Sequence, residues 1–155
     1  MELQFDWQER IVAPLKGVWN EVATLEKILS NSPPAFSWDP TPGADRATVR
    51  VVLPVGPLKW SITCQAEVEE IRPSERIVWT IEGPSAELHF RGVIDVQPLG
   101  ETETKLSYSA SFESQHRFAN RLRGLLSEIL EEQVRGLVSR VRERAQRRQR
   151  AQERL

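Results

Sequence analysis

Leu58-Lys59-Trp60-Ser61-Ile62-Thr63-Cys64-Gln65-Ala66-Glu67-Val68 alternates apolar and polar residues without a break. Period two belongs to a β-strand with one dry face and one wet face. Two later stretches repeat it: Ala86, Leu88, Phe90, Gly92, Ile94, Val96, and then Leu106, Tyr108, Ala110, Phe112. After Phe112 the period becomes helical. Phe118, Leu122, Leu125, Leu126, Ile129, Leu130, Gln133, Leu137, Val138 and Val141 form an i, i+3, i+4 stripe. From Phe118 to Val141 such a helix measures about 36 Å, roughly the length of a ten-residue strand. A helix starting near His116 is therefore long enough to cover the dry face of a sheet.

Further strands are predicted from Leu3 to Val12, near Thr48–Leu53, and over Arg76–Glu82, with the alternating runs extended to Leu58–Ile71, Ala86–Gln97 and Thr104–Glu113. Val55-Gly56-Pro57, Arg72-Pro73-Ser74, Gly83-Pro84 and Pro98-Leu99-Gly100 are turn signals between them. Connections this short make neighbouring strands antiparallel. Pro14 suits the first turn of a helix carrying Val18, Trp19 and Val22, and a second short helix spans about Leu25 to Leu29. Asn31 to Asp45 holds four prolines and one glycine and reads as a loop around a short strand at Phe36 and Trp38.

A chain of 155 residues is one domain by size. Its net charge of −1 argues against a nucleic-acid binder, but the charge is uneven: residues 140–155 hold seven Arg and two Glu, leaving −6 for the rest. We divide the chain accordingly into a folded part, 1–144, and a basic helical or disordered tail, 145–155. A charged tail is usually a solvated extension; the alternatives are a peripheral membrane or protein contact through Arg140 to Arg154. No aromatic residue interleaves with the arginines, so single-stranded RNA is disfavoured. The lone Cys64 has no partner for a disulfide, and no Cys/His spacing suits zinc. No apolar run approaches a membrane span, and the first residues lack the pattern of a signal peptide. The expectation is a cytoplasmic protein without metal or cofactor.

The order of elements resembles the helix-grip fold of the START/Bet v 1-like (SRPBCC) superfamily. Within it, the chain is most similar to the carbon monoxide dehydrogenase G-subunit (CoxG-like) family. Ile11-Val12-Ala13-Pro14-Leu15 with Val18-Trp19 resembles the family's opening strand-to-helix segment. Val55-Gly56-Pro57-Leu58-Lys59 resembles its valine–glycine hairpin, and Thr104-Lys105-Leu106-Ser107-Tyr108 its final strand. Ser30-Asn31-Ser32-Pro33-Pro34 departs from the family's isoleucine–proline–glycine step. The resemblance implies an α+β fold: a curved antiparallel sheet of six to seven strands wrapped on a long C-terminal helix, with two short helices after the first strand. It also implies an apolar pocket between sheet and helix.

Residues on the inner parity mix bulk with small side chains. Trp60, Ile62, Trp79, Leu88, Phe90 and Tyr108 stand beside Cys64, Ala66, Gly92 and Ala110, and Phe118, Leu122 and Leu126 face them from the helix. These are the candidate pocket-lining residues. On pattern alone, large and small residues interdigitating in a filled core is the better reading; the resemblance reverses the preference. Gly92 in mid-strand reads as a bulge or bend, and Cys64 as a small apolar filler. Tyr108 and Glu9 are the only polar groups on the inner parity that could act as acid or base, and a register change near Arg10 would place Glu9 in water. His89 falls on the wet face, and His116 joins a turn with Ser114. No Ser–His–Asp grouping, carboxylate dyad or phosphate loop is visible.

The leading expectation is thus a non-catalytic binder or carrier of an apolar small molecule (lipid, quinone or similar), in service of a membrane-associated or redox complex as the resemblance implies. The alternatives are an enzyme of the polyketide cyclase/aromatase type and an adaptor acting through its basic tail.

Overall fold

The computed structural model describes residues 1–33, 36–40 and 45–154. The chain opens with strand β1 (Glu2–Ile11) and helices α1 (Leu15–Asn20) and α2 (Leu25–Ser30). Strands β2 (Phe36–Pro40), β3 (Arg46–Val55), β4 (Leu58–Arg72), β5 (Arg76–Gly83), β6 (Leu88–Pro98) and β7 (Thr104–Ser114) follow, and α3 (Arg123–Glu153) comes last. The strands form one antiparallel sheet in the order β1-β7-β6-β5-β4-β3-β2. This is the α+β helix-grip architecture that the alternation and the terminal helix predict. Part of the predicted loop between α2 and β3, namely Pro34, Ala35 and residues 41–44, lies outside the described residues.

Strands β2 to β7 are a meander, each paired with its sequence neighbour. β1 instead pairs with β7 in continuous register from Glu2↔Glu113 to Ile11↔Thr104. That register carries Leu3, Phe5, Trp7, Glu9 and Ile11 to the same face without a shift. The expected register change near Arg10 does not occur. Glu9 stays on the inner parity, half-buried, because partners meet it there: Arg142 Nη1 donates to Oε1 at 2.9 Å, and Trp7 Nε1 donates to Oε2 at 3.0 Å.

Two boundaries differ from the sequence reading. Ala86 belongs to a 3₁₀ turn, Pro84–Ala86, set off by the fixed φ of Pro84, and Glu87 follows at φ 48°. α3 begins at Arg123, not near His116. Between them, Phe118 N donates to His116 Nδ1 at 3.2 Å and Ala119 N donates to the His116 carbonyl at 2.9 Å, holding a series of turns. Asn120 and Gly124 are poor helix formers, and no side chain caps the helix at Leu122. The bond from Leu126 N to the Leu122 carbonyl, at 2.8 Å, closes the first turn of the regular helix.

The basic tail continues the helix and is attached to the body at its start, while residues 147–148 and 150–154 are exposed. α3 runs through position 144 without a break to Glu153. Ala145 is buried, and Gln146 Oε1 accepts from Val12 N at 3.0 Å. Arg148 Nη2 stands 3.2 Å from Oε1 of Glu21, a carboxylate at the end of α1 that is only 1% exposed. Nothing in the sequence pattern signals this pair, because Glu21 sits in a stretch whose apolar neighbours already account for a helix.

Removing Arg148 strands a buried carboxylate. Arg148→Ala is expected to cost about 1–3 kcal/mol, since one charged partner is lost while the other stays out of water. In a domain of this size that lowers Tm by several degrees. Truncation after Arg144 should cost at least as much. A truncated chain melting with the full-length protein would show that the docked tail contributes nothing.

Candidate ligand site

The inner face divides into a filled part and a hollow part. In the filled part, the register Trp79↔Gly92↔Ala110 runs unbroken across β5, β6 and β7. Gly92 is therefore not a bulge; the sheet's irregularity lies in β4, between Val68 and Glu70. A Cβ at position 92 would stand 2.3 Å from Trp79 Cζ2. The glycine makes room for the indole, which lies over it and meets the rings of Tyr108 at 5.4 Å and Phe90 at 6.3 Å between centroids. Trp79, Gly92, Tyr108 and Ala110 sit in this region; Cys64, beside Gly83 and Ile62, and Ala66, paired with Ile81, are buried next to the hollow part, and none of the six lines its pocket, neck or cleft. Burial pushes the Cys64 thiol up to about 11, as suits an inert filler.

The hollow part lies toward the N-terminal end of α3. An inner pocket of about 50 Å³ is lined by Val51 and Leu53 of β3, Ile81 of β5, Leu88 and Phe90 of β6, Phe112 of β7, and Leu126, Ile129, Leu130 and Gln133 of α3. A narrow neck of about 10 Å³ shares Leu53, Leu88, Phe112 and Leu126 with it and adds Trp60, Ile62, Ala86, Ser114 and Ala119. Beyond Trp60 the surface opens into a cleft of about 530 Å³ between the β3–β4 hairpin and the turns ahead of α3, lined by Leu58, Lys59, Trp60, His116, Phe118, Arg121 and Leu122. Pocket, neck and cleft thus form a sequence from core to surface.

The structure brings together Leu88, Phe90 and Leu126 at the inner pocket, Ile62 at the neck, and Phe118 and Leu122 at the cleft, with Trp60 common to neck and cleft. Sequence reasoning missed Val51, Leu53, Ile81, Phe112, Ile129, Leu130 and Gln133 as pocket residues. Their signal was present, since each lies in a predicted strand or on the helical stripe. What the pattern could not give was which part of the dry face Trp79 fills.

Gln133 is the one polar residue among the described residues that line the inner pocket. Its Nε2 donates to Ser32 Oγ at 3.1 Å, and Ser32 Oγ in turn donates to the Ile28 carbonyl at 2.9 Å. Its Oε1 is buried without a partner, as is the Tyr108 hydroxyl. Burial holds the Tyr108 phenol far above its ordinary value, opposed more weakly by the nearby Gln133 amide. Tyr108 is thus a neutral hydrogen-bond donor, not a base. Glu9, the other polar candidate, is engaged by Arg142 and Trp7 and lines none of these cavities. His89 is exposed on the outer face, 3.6 Å from Glu82. Among the described residues no cluster of His, Cys, Asp and Glu is arranged to hold a metal.

A curved antiparallel sheet gripping one long helix around a small apolar pocket defines an SRPBCC-type fold. The profile of the carbon monoxide dehydrogenase G-subunit (CoxG) matches residues 8–147, so the chain belongs to that family. No curated protein sequence matches it. Among solved structures, a conserved protein from Geobacillus kaustophilus superposes with a TM-score of 0.71 at 18% identity, over 94% of this chain and 96% of that one. The Zhui aromatase/cyclase from Streptomyces sp. R1128 gives 0.69 at 17% identity, over 96% of each. A norcoclaurine synthase point mutant from Thalictrum flavum, in complex with a transition state analogue, gives 0.68 at 11% identity, over 96% and 97%. At these identities the likeness establishes the fold alone.

Gly92→Ala should destabilise the protein near the top of the range of about 1–3 kcal/mol typical of overpacking, because the Trp79 indole is itself packed against Tyr108 and Phe90. An unchanged denaturation midpoint would mean that the indole can move aside. Native protein at neutral pH should leave Cys64 unreacted toward a thiol-specific disulfide reagent, with reaction appearing only on unfolding.

Proposed function

We propose that this protein binds and carries an apolar small molecule, a lipid, quinone or similar, in the space between α3 and strands β3 to β7. The observation that supports this reading best is the lining of the inner pocket: nine apolar side chains and a single amide, Gln133, whose carbonyl oxygen has no partner. That pattern suits an apolar body with one polar group that can donate a hydrogen bond. Among the described residues the lining contains no titratable group, which weighs against acid–base catalysis of the cyclase type.

At about 50 Å³ the inner pocket has room for a few water molecules, not for a lipid. Loading therefore requires the neck to widen at Trp60 and Leu126, drawing on the volume of the outer cleft. We place that movement in the turns ahead of α3, which lead into a helix without a side-chain cap and are bonded mainly among themselves. Service to a membrane-associated or redox complex, which membership of the CoxG family suggests, would follow from delivery of such a ligand.

Two substitutions separate the hollow part from the filled one. Val51→Phe places a ring in the inner pocket and should leave stability within about 1 kcal/mol of wild type. It should abolish uptake of an apolar fluorescent probe, followed through Trp60 at the neck. Ala110→Leu enters the filled part and should cost about 1–3 kcal/mol. If wild type takes up no probe or Val51→Phe takes it up unchanged, the carrier reading fails.

A further inference from the structure

We propose that the rim of the outer cleft is a docking surface for an anionic phospholipid bilayer. The inference rests on the carrier reading, since it identifies the source from which an apolar ligand would enter.

Two of the five large apolar side chains exposed among the described residues, Leu58 at 72% and Phe118 at 42%, line this cleft from its two sides. Leu58 projects at the tip of the β3–β4 hairpin, and Phe118 stands on the turns ahead of α3. The two segments that flank the cleft carry charge of one sign, with the exposed Glu87 standing just beyond the neck residue Ala86. These segments, residues 51–66 and 115–127, contain Lys59, Arg117, Arg121 and Arg123 and not one carboxylate. In a chain of net charge −1 that is a marked local excess. Arg117 lies over the Phe118 ring at 5.0 Å, so cation and apolar group form one surface.

The opposite end of the sheet provides the contrast. There the exposed Ile71 and Leu99 stand next to Glu70 and just ahead of Glu101 and Glu103. Glu70 there is paired with Arg72 at 2.6 Å and Glu103 with Arg10 at 3.4 Å, so that end has no excess of cations to draw it to an anionic surface. Apolar side chains that insert between headgroups, ringed by cations that meet their phosphates, are the two components of interfacial binding. The cleft they surround leads past Trp60 to the inner pocket, so a molecule leaving the bilayer here would not cross water.

The basic end of α3 is a competing contact, and the geometry separates the two. Gln146 bonds to Val12 at the far end of β1, a helix length away from Phe118. Arg140, Arg142 and Arg148 are already engaged by the Ser32 carbonyl, Glu9 and Glu21. Docking by the cleft and docking by the tail are therefore different orientations, read by different variants.

The test is co-flotation of the full chain with two kinds of vesicle: phosphatidylcholine alone, and equal parts phosphatidylcholine and phosphatidylglycerol. Wild type should float with the acidic vesicles, lose them as salt rises, and ignore the neutral ones. Leu58→Asp with Phe118→Asp should abolish flotation, and because both side chains are exposed the fold should survive, as Tm will show. Lys59→Ala with Arg121→Ala should weaken partitioning by more than about tenfold, at about fivefold per charge. Arg144→Ala, Arg147→Ala and Arg150→Ala together should leave it within a fewfold of wild type.

Flotation lost in the tail variant and kept in the cleft variants would overturn the proposal, as would no flotation of wild type with either vesicle. Probe uptake measured without vesicles is read separately. Uptake without flotation sinks the docking surface and spares the carrier; flotation through the cleft without uptake supports docking and removes the carrier reading.

Discussion

The carboxylate of Glu21, almost wholly buried, 3.2 Å from Arg148 and without a hydrogen bond on either oxygen, ties the last turns of α3 to α1. A charge held out of water needs its partner in place, so the last turns of α3 cannot lift from α1 without stranding it. Arg142 on Glu9 and Arg140 on the Ser32 carbonyl add two further attachments along the same half of the helix. The other end is held differently. α3 starts without a side-chain cap, after turns bonded largely to themselves, and Phe118 leaves its ring at the surface. The helix is thus clamped on β1, α1 and the end of α2, while its beginning spans the curved part of the sheet as a bridge. The inner pocket, the neck and the cleft all lie beneath the unclamped half.

The same asymmetry decides how the dry face is filled. In the filled part, Trp79 lies on Gly92 against Tyr108, with the small Ala110 paired to that glycine on the next strand. This is a large side chain using space that small ones concede, as in any close-packed core. In the hollow part the facing residues are Val51, Leu53, Leu88 and Leu126, all of middle size, with a curved sheet between them and the helix. Neither Phe90 nor Phe112 closes the space there as Trp79 does in the filled part. A gap remains, and Gln133 marks its inner limit.

Period two in β4, β6 and β7 and the helical stripe after Phe112 made the sheet, its antiparallel order and its covering helix legible in the sequence. They are repetitive signals, and each residue in them points the same way. The pairing of β1 with β7 was not legible, because contact between chain ends has no periodicity. The Glu21–Arg148 pair was hidden for a similar reason: one glutamate in a short amphipathic helix looks like any solvated one until the tail is laid over it. The small residues on the inner face were legible as a set but not as to purpose. Alternation assigns Gly92 to the dry face, yet only the direction of the Trp79 ring decides whether the space above it is empty.

A pocket of this size gains little by staying small and empty. Its lining is already apolar, so a ligand entering it exchanges few polar contacts, and the widening it needs falls on the part of the chain that costs least to move. Raising the first turns of α3 disrupts a few local turn bonds and exposes Leu122 and Leu126, which an apolar ligand or an adjoining lipid surface covers again. Raising the other half would strand Glu21 and break the contacts at Glu9 and Ser32. The fold therefore directs any opening to the end where the cleft lies, between a leucine and a phenylalanine that are already at the surface and among cations whose flanking segments carry no carboxylate.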